Sequence, residues 1–374
     1  MMTYYKNDDQ LVILKPFVHQ VGGHTCLFEI TQETICKPYQ EREFQFYQNL
    51  PENMKEFTPH YKGLVCVKCS HDNDSPTFYA EVPGYILRNT EHQNNEGRSD
   101  EVKSGLDNWS VSCIDRQMQR NGFWSNNVDQ KFIMLGNLVG SLRMPCILDL
   151  KMGTRQHGDD SSEEKKKLLE DRCAHSTSAS LGLRICGMQV YQAETNSYLS
   201  YDKYHGRALD DNGLRQDLRQ FFHNSQTINI REISRMIQKL RRLHHVLSTQ
   251  DTFYFFSSSL LLFYDGYIEN YQCSDQSKQA NESSERNSDQ SEEDLSSNNS
   301  SHDFPDQIKV EETEDGKVDQ SGCDDDMATA DARMIDFAHT VLKSDVKEHQ
   351  GGVEEGILFG LVNLIDILQS IAES

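Results

Sequence analysis

Two charged residues on one short apolar segment are the first candidates for chemistry. In Pro145-Cys-Ile-Leu-Asp149-Leu-Lys151-Met-Gly153, a single leucine separates the carboxylate from the amine. Side chains two residues apart on a β-strand share a face, so Asp149 and Lys151 would point to one side and the aliphatic side chains would line the other. The pattern predicts either a structural ion pair or part of a site for a charged ligand.

Lys37 and Asp336 could supply other groups that phosphoryl transfer needs. That reaction requires a cation against the phosphates of ATP, a carboxylate that holds magnesium, and positive charge where the acceptor binds. Lys37 ends a predicted strand that follows a glycine pair, and Asp336 lies in the apolar Met-Ile-Asp-Phe setting. A carboxylate there could bind Mg2+. Taken alone, each residue is also consistent with a surface lysine or a strand-end aspartate.

Three common nucleotide-site motifs are missing from the sequence. It contains no G-x-x-x-x-G-K-[ST], no G-x-G-x-x-G and no H-R-D catalytic loop. A P-loop enzyme and an ordinary protein kinase are therefore not indicated.

The elements that must position these residues begin with short strands and one helix. Gly22-Gly23 predicts a tight turn between the first two strands. A helix over 41–50 would place Phe44 and Tyr47 on one face, with Phe46 as a further candidate for that face, and would end at Pro51. Polar residues 84–130 predict an insertion with a short helical piece near 114–120. Strands are predicted at 11–14, 25–30, 33–37, 63–67, 78–82, 132–135 and 147–150.

The second part of the chain mixes helices with strands. Ser161-Ser-Glu-Glu164 is a capping-box pattern that would open a helix rich in lysine and arginine. Further helices are predicted at 214–222, 230–247 and 357–371, paired strands at 253–256 and 260–264, and renewed order at 333–337. Together the elements predict an α+β fold with two lobes, residues 1–138 and 139–374.

The negative charge is concentrated in one tract. The whole chain has a formal net charge of −22, but residues 272–330 alone hold 17 Asp/Glu against 4 Lys/Arg. This tract has too few apolar residues to offset the entropy of ordering, so it predicts a disordered insertion. Residues 143–207 hold 10 basic against 9 acidic residues, which makes the middle of the chain the place where a polyanion could bind.

The ten cysteines favour reduced thiols because they show no repeating spacing in a long chain. Cys66 and Cys69 have the spacing of half a zinc site, but no second pair completes it, and a pair on neighbouring strands is the alternative. The N-terminus lacks a signal-peptide pattern, and no run approaches 18 uncharged apolar residues. We therefore expect a protein of the cytoplasm or nucleus with neither nucleic-acid nor membrane partners.

The motif around Asp149 and Lys151 resembles the signature of the inositol polyphosphate kinases. Its continuation, Thr154-Arg-Gln-His-Gly-Asp-Asp160, is similar to the inositol hexakisphosphate kinase branch of that family. Matching segments lie at both ends of the predicted folded part, with only 84–130 and 272–330 uncovered. These segments are 16–24, 36–38, 55–59, 176–182, 186–191, 257–261 and 334–339.

The resemblance implies a protein-kinase-like or ATP-grasp-like pair of lobes and a set of site residues. Lys37 would contact the ATP phosphates, Asp149 the ribose hydroxyls and Asp336 the magnesium ion. Lys151 would contact both the acceptor and the transferring phosphate, which makes Lys151 and Asp336 the expected catalytic pair. The implied adenine-binding residues are Leu135, Asn137 and Leu138, with Ser258 and Ser259 lining the nucleotide site. The implied acceptor-binding residues are Lys151, Lys165, Arg172, Lys203 and His339.

The sequence departs from the family pattern at three positions. Gly136 stands where relatives usually have Glu, and Leu168 and Asp171 stand where relatives often have Arg. We expect altered affinity for ATP and acceptor rather than loss of reaction.

The resemblance implies that ATP and Mg2+ are the cofactors and that inositol hexakisphosphate is the acceptor. Its attacking group is then an ionised phosphate oxygen, so no general base is needed, and clustered cations must offset the repulsion between two polyanions. Two alternatives remain open, namely a multikinase that acts on inositol hydroxyls and a non-catalytic scaffold with a degenerate kinase fold.

Overall fold

The strand and helix patterns of the sequence fold into a seven-stranded and a five-stranded antiparallel sheet, with helices packed on the second, and a small two-stranded sheet of Phe253–Tyr254 and Val341–Leu342. The computed structural model describes residues 8–23, 25–70, 77–88, 129–158, 160–267, 330–346 and 353–374. The predicted helical piece near 114–120 and the predicted disorder of 272–330 lie outside these residues, apart from Ala330.

The first sheet contains seven strands in the order β1-β6-β5-β7-β4-β3-β2. They are β1 (Gln10–Ile13), β2 (Lys15–Pro16), β3 (Phe28–Thr31), β4 (Thr34–Pro38), β5 (Tyr61–Ser70), β6 (Thr77–Val82) and β7 (Gln130–Gly136). Leu14 alone joins β1 to β2, although these strands lie at opposite ends of the order, so the sheet must curl until its two edges meet. Phe28, Phe78 and Phe132 pack inside the curl.

The second sheet has the order β10-β9-β8-β12-β13. The remaining strands are β8 (Pro145–Met152), β9 (Leu183–Gln192), β10 (Ser197–Tyr201), β11 (Phe253–Tyr254), β12 (Ser259–Asp265), β13 (Ala330–Ile335) and β14 (Val341–Leu342). The strand β8 lies in the centre, with Lys151 opposite Arg184 on β9 and opposite Ser259 on β12. The predicted pairing of 253–256 with 260–264 is wrong, because β11 pairs with β14 whereas β12 pairs with β8 and β13.

Eight helices complete the described part of the chain. They are α1 (Glu41–Gln48), α2 (Gly84–Leu87), α3 (Glu163–Ala174), α4 (Thr177–Leu181), α5 (Lys203–Ala208), α6 (Asp211–Phe221), α7 (Ile230–Thr249) and α8 (Val353–Ala372). Short 3-10 segments lie at Glu52–Phe57 and Lys343–Asp345. The apolar stripe of α7, including Ile233, Met236 and Leu240, is buried in the larger core as its helical spacing predicts.

The last helix, α8, is unusually apolar. Its segment Glu355–Ala372 is long and apolar enough to cross a membrane by length and composition, and half of that segment is buried inside the protein. Leu361, Leu364 and Leu368 pack in the larger core beside α7. In this structure α8 is therefore a core helix.

Several local expectations need correction. The helix α3 begins one residue later than the capping-box pattern suggests, since Ser162 rather than Ser161 accepts the hydrogen bond from the Lys165 amide. Gly22 and Gly23 lie in a longer loop between β2 and β3 instead of a tight turn. In α1, Phe46 and Tyr47 are buried, whereas Phe44 is only partly covered.

Cys66 and Cys69 both lie on β5, so they are not a pair on neighbouring strands. Cys66 is exposed, and Cys69 packs against the core of the first sheet. Within the described ranges every cysteine is a free thiol, and no group of three or more His, Cys, Asp or Glu residues could hold a metal.

Candidate active site

Lys37 is the centre of a three-residue ion network that joins the two sheets. Its Nζ lies 3.0 Å from Glu43 Oε2 on α1 and 3.1 Å from Asp336 Oδ1, directly after β13. Burial favours the neutral amine, but the attraction of Glu43 and Asp336 outweighs it and raises the pKa of Lys37. The lysine is therefore held as a cation at one fixed point.

Two residues of the site adopt left-handed backbone conformations that are uncommon for side chains other than glycine. Asp336 has φ 63° and Ser257 has φ 57°. The Ser257 carbonyl accepts a hydrogen bond from the Lys151 amine, which ties the end of β8 to the start of β12. Strained backbone of this kind often occurs at functional sites. Here it aims the Asp336 carboxylate at Lys37 and the Ser257 carbonyl at Lys151.

Asp149 is a buried carboxylate, with only 4% of its surface exposed. Burial raises the pKa of Asp149 to about 6, the nearby negative charge of Asp336 adds to the rise, and Lys151 and a hydrogen bond from Ser259 oppose it. Its Oδ1 has no hydrogen-bond partner among the described residues. A buried oxygen without a partner calls for an explanation, and a ligand hydroxyl would provide one.

One aliphatic residue of β8 lies on the face opposite to the predicted one. Leu148 and Leu150 pack in the larger core on the side away from Asp149, as predicted. Ile147, however, shares the face of Asp149 and Lys151 and packs with Phe17 and Phe263. The two charged residues therefore lie beside a small apolar cluster.

Asp149 and Asp336 together suit a divalent cation. Each is a carboxylate, the hard oxygen ligand that magnesium prefers, and the charge of Asp336 disfavours ionisation of Asp149. Asp336 is the more accessible of the two, with 37% of its side chain exposed. A cation bound at Asp336 would relieve the repulsion between the carboxylates, so the residues fit the expected metal.

The connection from β7 to β8 presents backbone rather than side chains. Leu135 is buried, and Asn137 is used internally, with Nδ2 donating to Gln32 O at 2.7 Å and Oδ1 accepting from the Val139 amide. The Leu138 amide has no hydrogen-bond acceptor within the described ranges. A free amide in a connecting segment is the kind of group that can bind a planar heterocycle.

A cluster of arginines lies beyond Lys151. Arg184 on β9 is 4% exposed and donates hydrogen bonds to Gln156 and Ser178. Burial and the nearby charge of Arg207 lower the pKa of Arg184, and burial, Arg207 and Arg184 likewise lower that of Arg172. Among the described residues, none of the three forms an ion pair with a carboxylate. Arg184 is buried and Arg172 and Arg207 are half-buried, so a bound anion would relieve the repulsion among these three cations.

His339 and Lys165 border the same region. Burial and the charges of Lys165 and Lys151 lower the pKa of His339, while Asp160, whose Oδ1 lies 4.0 Å from His339 Nδ1, opposes the change. Lys203 is placed less directly, since its described contact is with the Tyr204 ring at 5.6 Å. It lies one helical turn before Arg207 on α5, which brings it to the edge of the arginine cluster.

Of the predicted nucleotide residues, Ser258 and Ser259 are buried beside Lys151. The Ser258 hydroxyl has no partner in the described part of the chain. The structure thus brings Lys37, Asp149, Lys151, Asp336 and these serines together, with the arginine cluster on one side.

Sequence reasoning missed Glu43, Arg184 and Arg207. Glu43 could have been found from the sequence, because it is an acidic residue in the first turn of the helix that follows Lys37 and a buried lysine needs a counter-charge. Arg184 could have been found from its position on a strand that runs beside β8. No local pattern indicated Arg207, because its role depends on α5 packing against β9.

The three departures from the family pattern lie at accessible places. At Gly136 a Cβ atom would meet nothing closer than 3.5 Å, so the glycine is not required by close packing. Leu168 is exposed on α3, and Asp171 pairs with His175 one turn later.

Comparisons with known proteins show which family this chain resembles. Residues 132–369 match the family model described as inositol polyphosphate kinase. The chain is 34% identical to human inositol hexakisphosphate kinase 2 over 97% of its length and 95% of that protein. It is also 34% identical to human inositol hexakisphosphate kinase 1, over 98% and 95%, and 32% identical to mouse inositol hexakisphosphate kinase 3, over 97% and 96%.

The fold is similar to that of a solved kinase. The inositol phosphate multikinase Ipk2 of S. cerevisiae, in complex with ADP and Mn2+, aligns with a TM-score of 0.52 at 18% identity, over 90% of this chain and 98% of that one. The expected fold class, mixed helix and sheet of the inositol polyphosphate kinase type, is confirmed. The lobe boundary at residue 138 stays a prediction. By its match over most of its length, this chain belongs to the inositol polyphosphate kinase family.

Proposed function

We propose that this protein is an ATP-dependent inositol hexakisphosphate kinase. It transfers the γ-phosphate of ATP to a phosphate of inositol hexakisphosphate and gives a diphosphoinositol product. The observation that carries the proposal is the cluster of Arg172, Arg184 and Arg207 beside Lys151. Arg184 is buried, the other two are half-buried, and none of the three pairs with a carboxylate among the described residues. The near full-length likeness to proteins named inositol hexakisphosphate kinases supports the choice of acceptor.

The nucleotide lies between the two sheets in this proposal. The free Leu138 amide binds adenine, and Asp149 accepts a hydrogen bond from a ribose hydroxyl through the oxygen that lacks a partner. Lys37, fixed as a cation by Glu43, contacts the phosphates. Asp336 holds Mg2+, which when bound neutralises charge on the transferring phosphate.

Lys151 and the arginine cluster hold the acceptor. An oxygen of an acceptor phosphate forms the new bond to the γ-phosphorus as the bond to the bridging oxygen of ADP breaks. Because that acceptor oxygen is already ionised, no side chain has to remove a proton. The task of the protein is to bring two polyanions together, which Lys151, Arg172, Arg184 and His339 do by charge and by directed hydrogen bonds.

The deciding experiment supplies purified protein with Mg-ATP and inositol hexakisphosphate, with Lys151→Ala in parallel. We expect a pyrophosphorylated product from the unchanged protein and a loss of about 100-fold or more in the variant, the size expected when a preorganised charge is removed. Equal product from both proteins, or none from the unchanged protein, would refute the proposal.

The alternative activities give different results in the same assay. A multikinase would phosphorylate inositols that carry free hydroxyls and leave the hexakisphosphate unchanged. A scaffold would give no product from any inositol phosphate. The presence of Lys37, Asp149, Lys151 and Asp336, and the ion pair between the first and last of them, favours an active enzyme.

A further inference from the structure

Arg207, a member of the arginine cluster, is carried by a helix of only six residues, α5 (Lys203–Ala208). Burial and the nearby charge of Arg207 lower the pKa values of Arg172 and Arg184, so its guanidinium group lies near theirs. Its Nε is buried and has no hydrogen-bond partner among the described residues. A helix this short is marginal by itself in water, so contacts outside α5 must hold Arg207 in place.

Two of these contacts fix where α5 begins and how closely it lies on the second sheet. The Asp202 carboxylate caps the helix and accepts from the Tyr204 amide at 2.9 Å and from the His205 amide at 3.0 Å. Gly206 is buried against β9, where a Cβ atom would lie 2.1 Å from the Ile185 carbonyl oxygen. No larger residue fits there unless the backbone moves, so α5 and β9 touch backbone to backbone.

A third contact fixes the rotation of α5 about its own axis. His205 Nε2 lies 2.6 Å from Asp217 Oδ2 on α6. The His205 ring also stacks on the ring of Tyr201 on β10, with centroids 4.1 Å apart and 16° between the planes. Asp217 is buried, with 9% of its surface exposed, and a buried carboxylate needs a hydrogen-bond donor. The pair is therefore a firm link between α5 and α6.

This link lies on the side of α5 opposite to Arg207. Side chains four residues apart on a helix share a face, so Lys203 and Arg207 point to one side. His205 is two residues from each of them and points to the other side, toward Asp217. The contact between His205 and Asp217 therefore sets where the Arg207 guanidinium group lies.

We propose that His205 and Asp217 are positioning residues for the acceptor, which hold Arg207 in the arginine cluster by fixing the rotation of α5. This inference rests on the proposed function, because it takes the arginine cluster as the place where inositol hexakisphosphate binds. Loss of the pair should weaken binding of the acceptor and leave binding of ATP unchanged, since the proposed nucleotide contacts lie on other elements.

The first test separates the hydrogen bond of His205 from the packing of its ring. His205→Phe keeps a ring that can stack on Tyr201 but has no nitrogen for Asp217, whereas His205→Gln keeps a nitrogen donor and loses the ring. We expect KM for inositol hexakisphosphate to rise by about 5- to 50-fold in His205→Phe, because one cation of the site is displaced. In His205→Gln the rise should stay below about 3-fold, because the donor is retained.

The control for the first test is Gln216→Ala, at an exposed position beside Asp217 on the same helix, and it should leave KM for both substrates unchanged. An unchanged KM for the acceptor in His205→Phe, or equal rises in His205→Phe and His205→Gln, would overturn the proposal. A rise of the same size in KM for ATP would indicate general loss of structure and would also overturn it.

The second test asks whether the pair acts through Arg207. Arg207→Ala alone should raise the Kd of inositol hexakisphosphate, measured by calorimetric titration, and leave the Kd of ADP unchanged. Adding His205→Phe to Arg207→Ala should raise the acceptor Kd by less than about 2-fold more, because residues that act as a unit are not additive. If the two losses multiply, His205 acts independently of Arg207 and the proposal is wrong. If His205→Phe does not fold, Asp217→Leu, which fills the space without an acceptor oxygen, takes its place in both tests.

The two proposals fail in different ways. If the unchanged protein neither binds inositol hexakisphosphate nor makes the pyrophosphorylated product, the proposed function falls together with the positioning role. If the unchanged protein makes the product but His205→Phe binds the acceptor as well as the unchanged protein does, only the positioning role is overturned.

Discussion

Glu43 is the least accessible member of the ion network around Lys37, with 1% of its surface exposed. We predict that Glu43→Gln lowers kcat/KM for ATP by about 10- to 100-fold, because Lys37 loses its largest attractive charge and its fixed position. Glu41→Gln is the matched control, since Glu41 lies two residues away on the same helix and forms its hydrogen bonds with Tyr39 and Gln45 at the surface. Similar losses in both variants, measured in steady-state kinetics, would contradict this role.

The raised pKa of Asp149 leads to a second prediction, which concerns how the free energy of unfolding depends on pH. Its pKa is raised to about 6 from 3.8, so between these values the folded state binds the proton that the unfolded state releases. Stability from this group is therefore greatest below about pH 4 and falls as the pH rises through 6, by up to about 3 kcal/mol. We expect Asp149→Asn to gain stability relative to the unchanged protein between pH 4 and pH 7. Urea unfolding of both proteins at pH 4 and at pH 7 measures this gain. If the difference in free energy of unfolding between the two proteins is the same at both pH values, the prediction is wrong.

For individual residues of the site, the sequence could indicate which ones are functional but not which residues they contact. Asp149, Lys151, Lys37 and Asp336 were recognisable from motif and resemblance. The left-handed backbone of Asp336 and the close approach of Gly22 to Asp149 Oδ2 depend on contacts between distant segments, which no local pattern records. The arginine pair at 184 and 207 was missed for the same reason.

The helix α3 supports the acceptor side of the site, and its first turn can be tested. Ser162 caps the helix through the Lys165 amide, whereas the capping-box pattern pointed to Ser161. We predict that Ser162→Ala lowers the free energy of unfolding by about 1 kcal/mol and raises KM for the acceptor, because the turn that carries Lys165 loosens. Ser161→Ala should have a smaller effect on both. Chemical denaturation and acceptor titration of the two variants decide between these positions.

Many single elements were predictable from local patterns, whereas the pairing between distant elements was not. The strands around β3 and β4, and the apolar stripe of α7, follow from alternation and helical spacing. The partner of β11 did not follow, because β14 lies almost ninety residues further along the chain. Adjacent strand patterns suggest a hairpin unless a more distant strand competes for the same edge.

For the whole molecule, the pairing of β12 with β13 bears on the long acidic segment between them. Tyr264 lies opposite Ala330, so the two strand ends that flank residues 268–329 are neighbours. We predict that replacing this segment with a short Gly/Ser turn preserves the fold and the kinase activity. The shorter connection should add no more than about 2 kcal/mol of stability, the entropy difference for a roughly tenfold shorter loop. Loss of activity in a variant that keeps its melting temperature would show that the segment takes part in the reaction.

The single residue between β1 and β2 has a consequence for how the first sheet forms. The strand β2 finds β3 only a dozen residues away, but β1 must wait for β6, about seventy residues later. Contacts of such long sequence separation form slowly, so closure of the curl at Leu14 belongs to the late steps of folding. Until then the edge of β6 is open to strands of other molecules, so β1 (Gln10–Ile13) guards that edge against aggregation once it pairs.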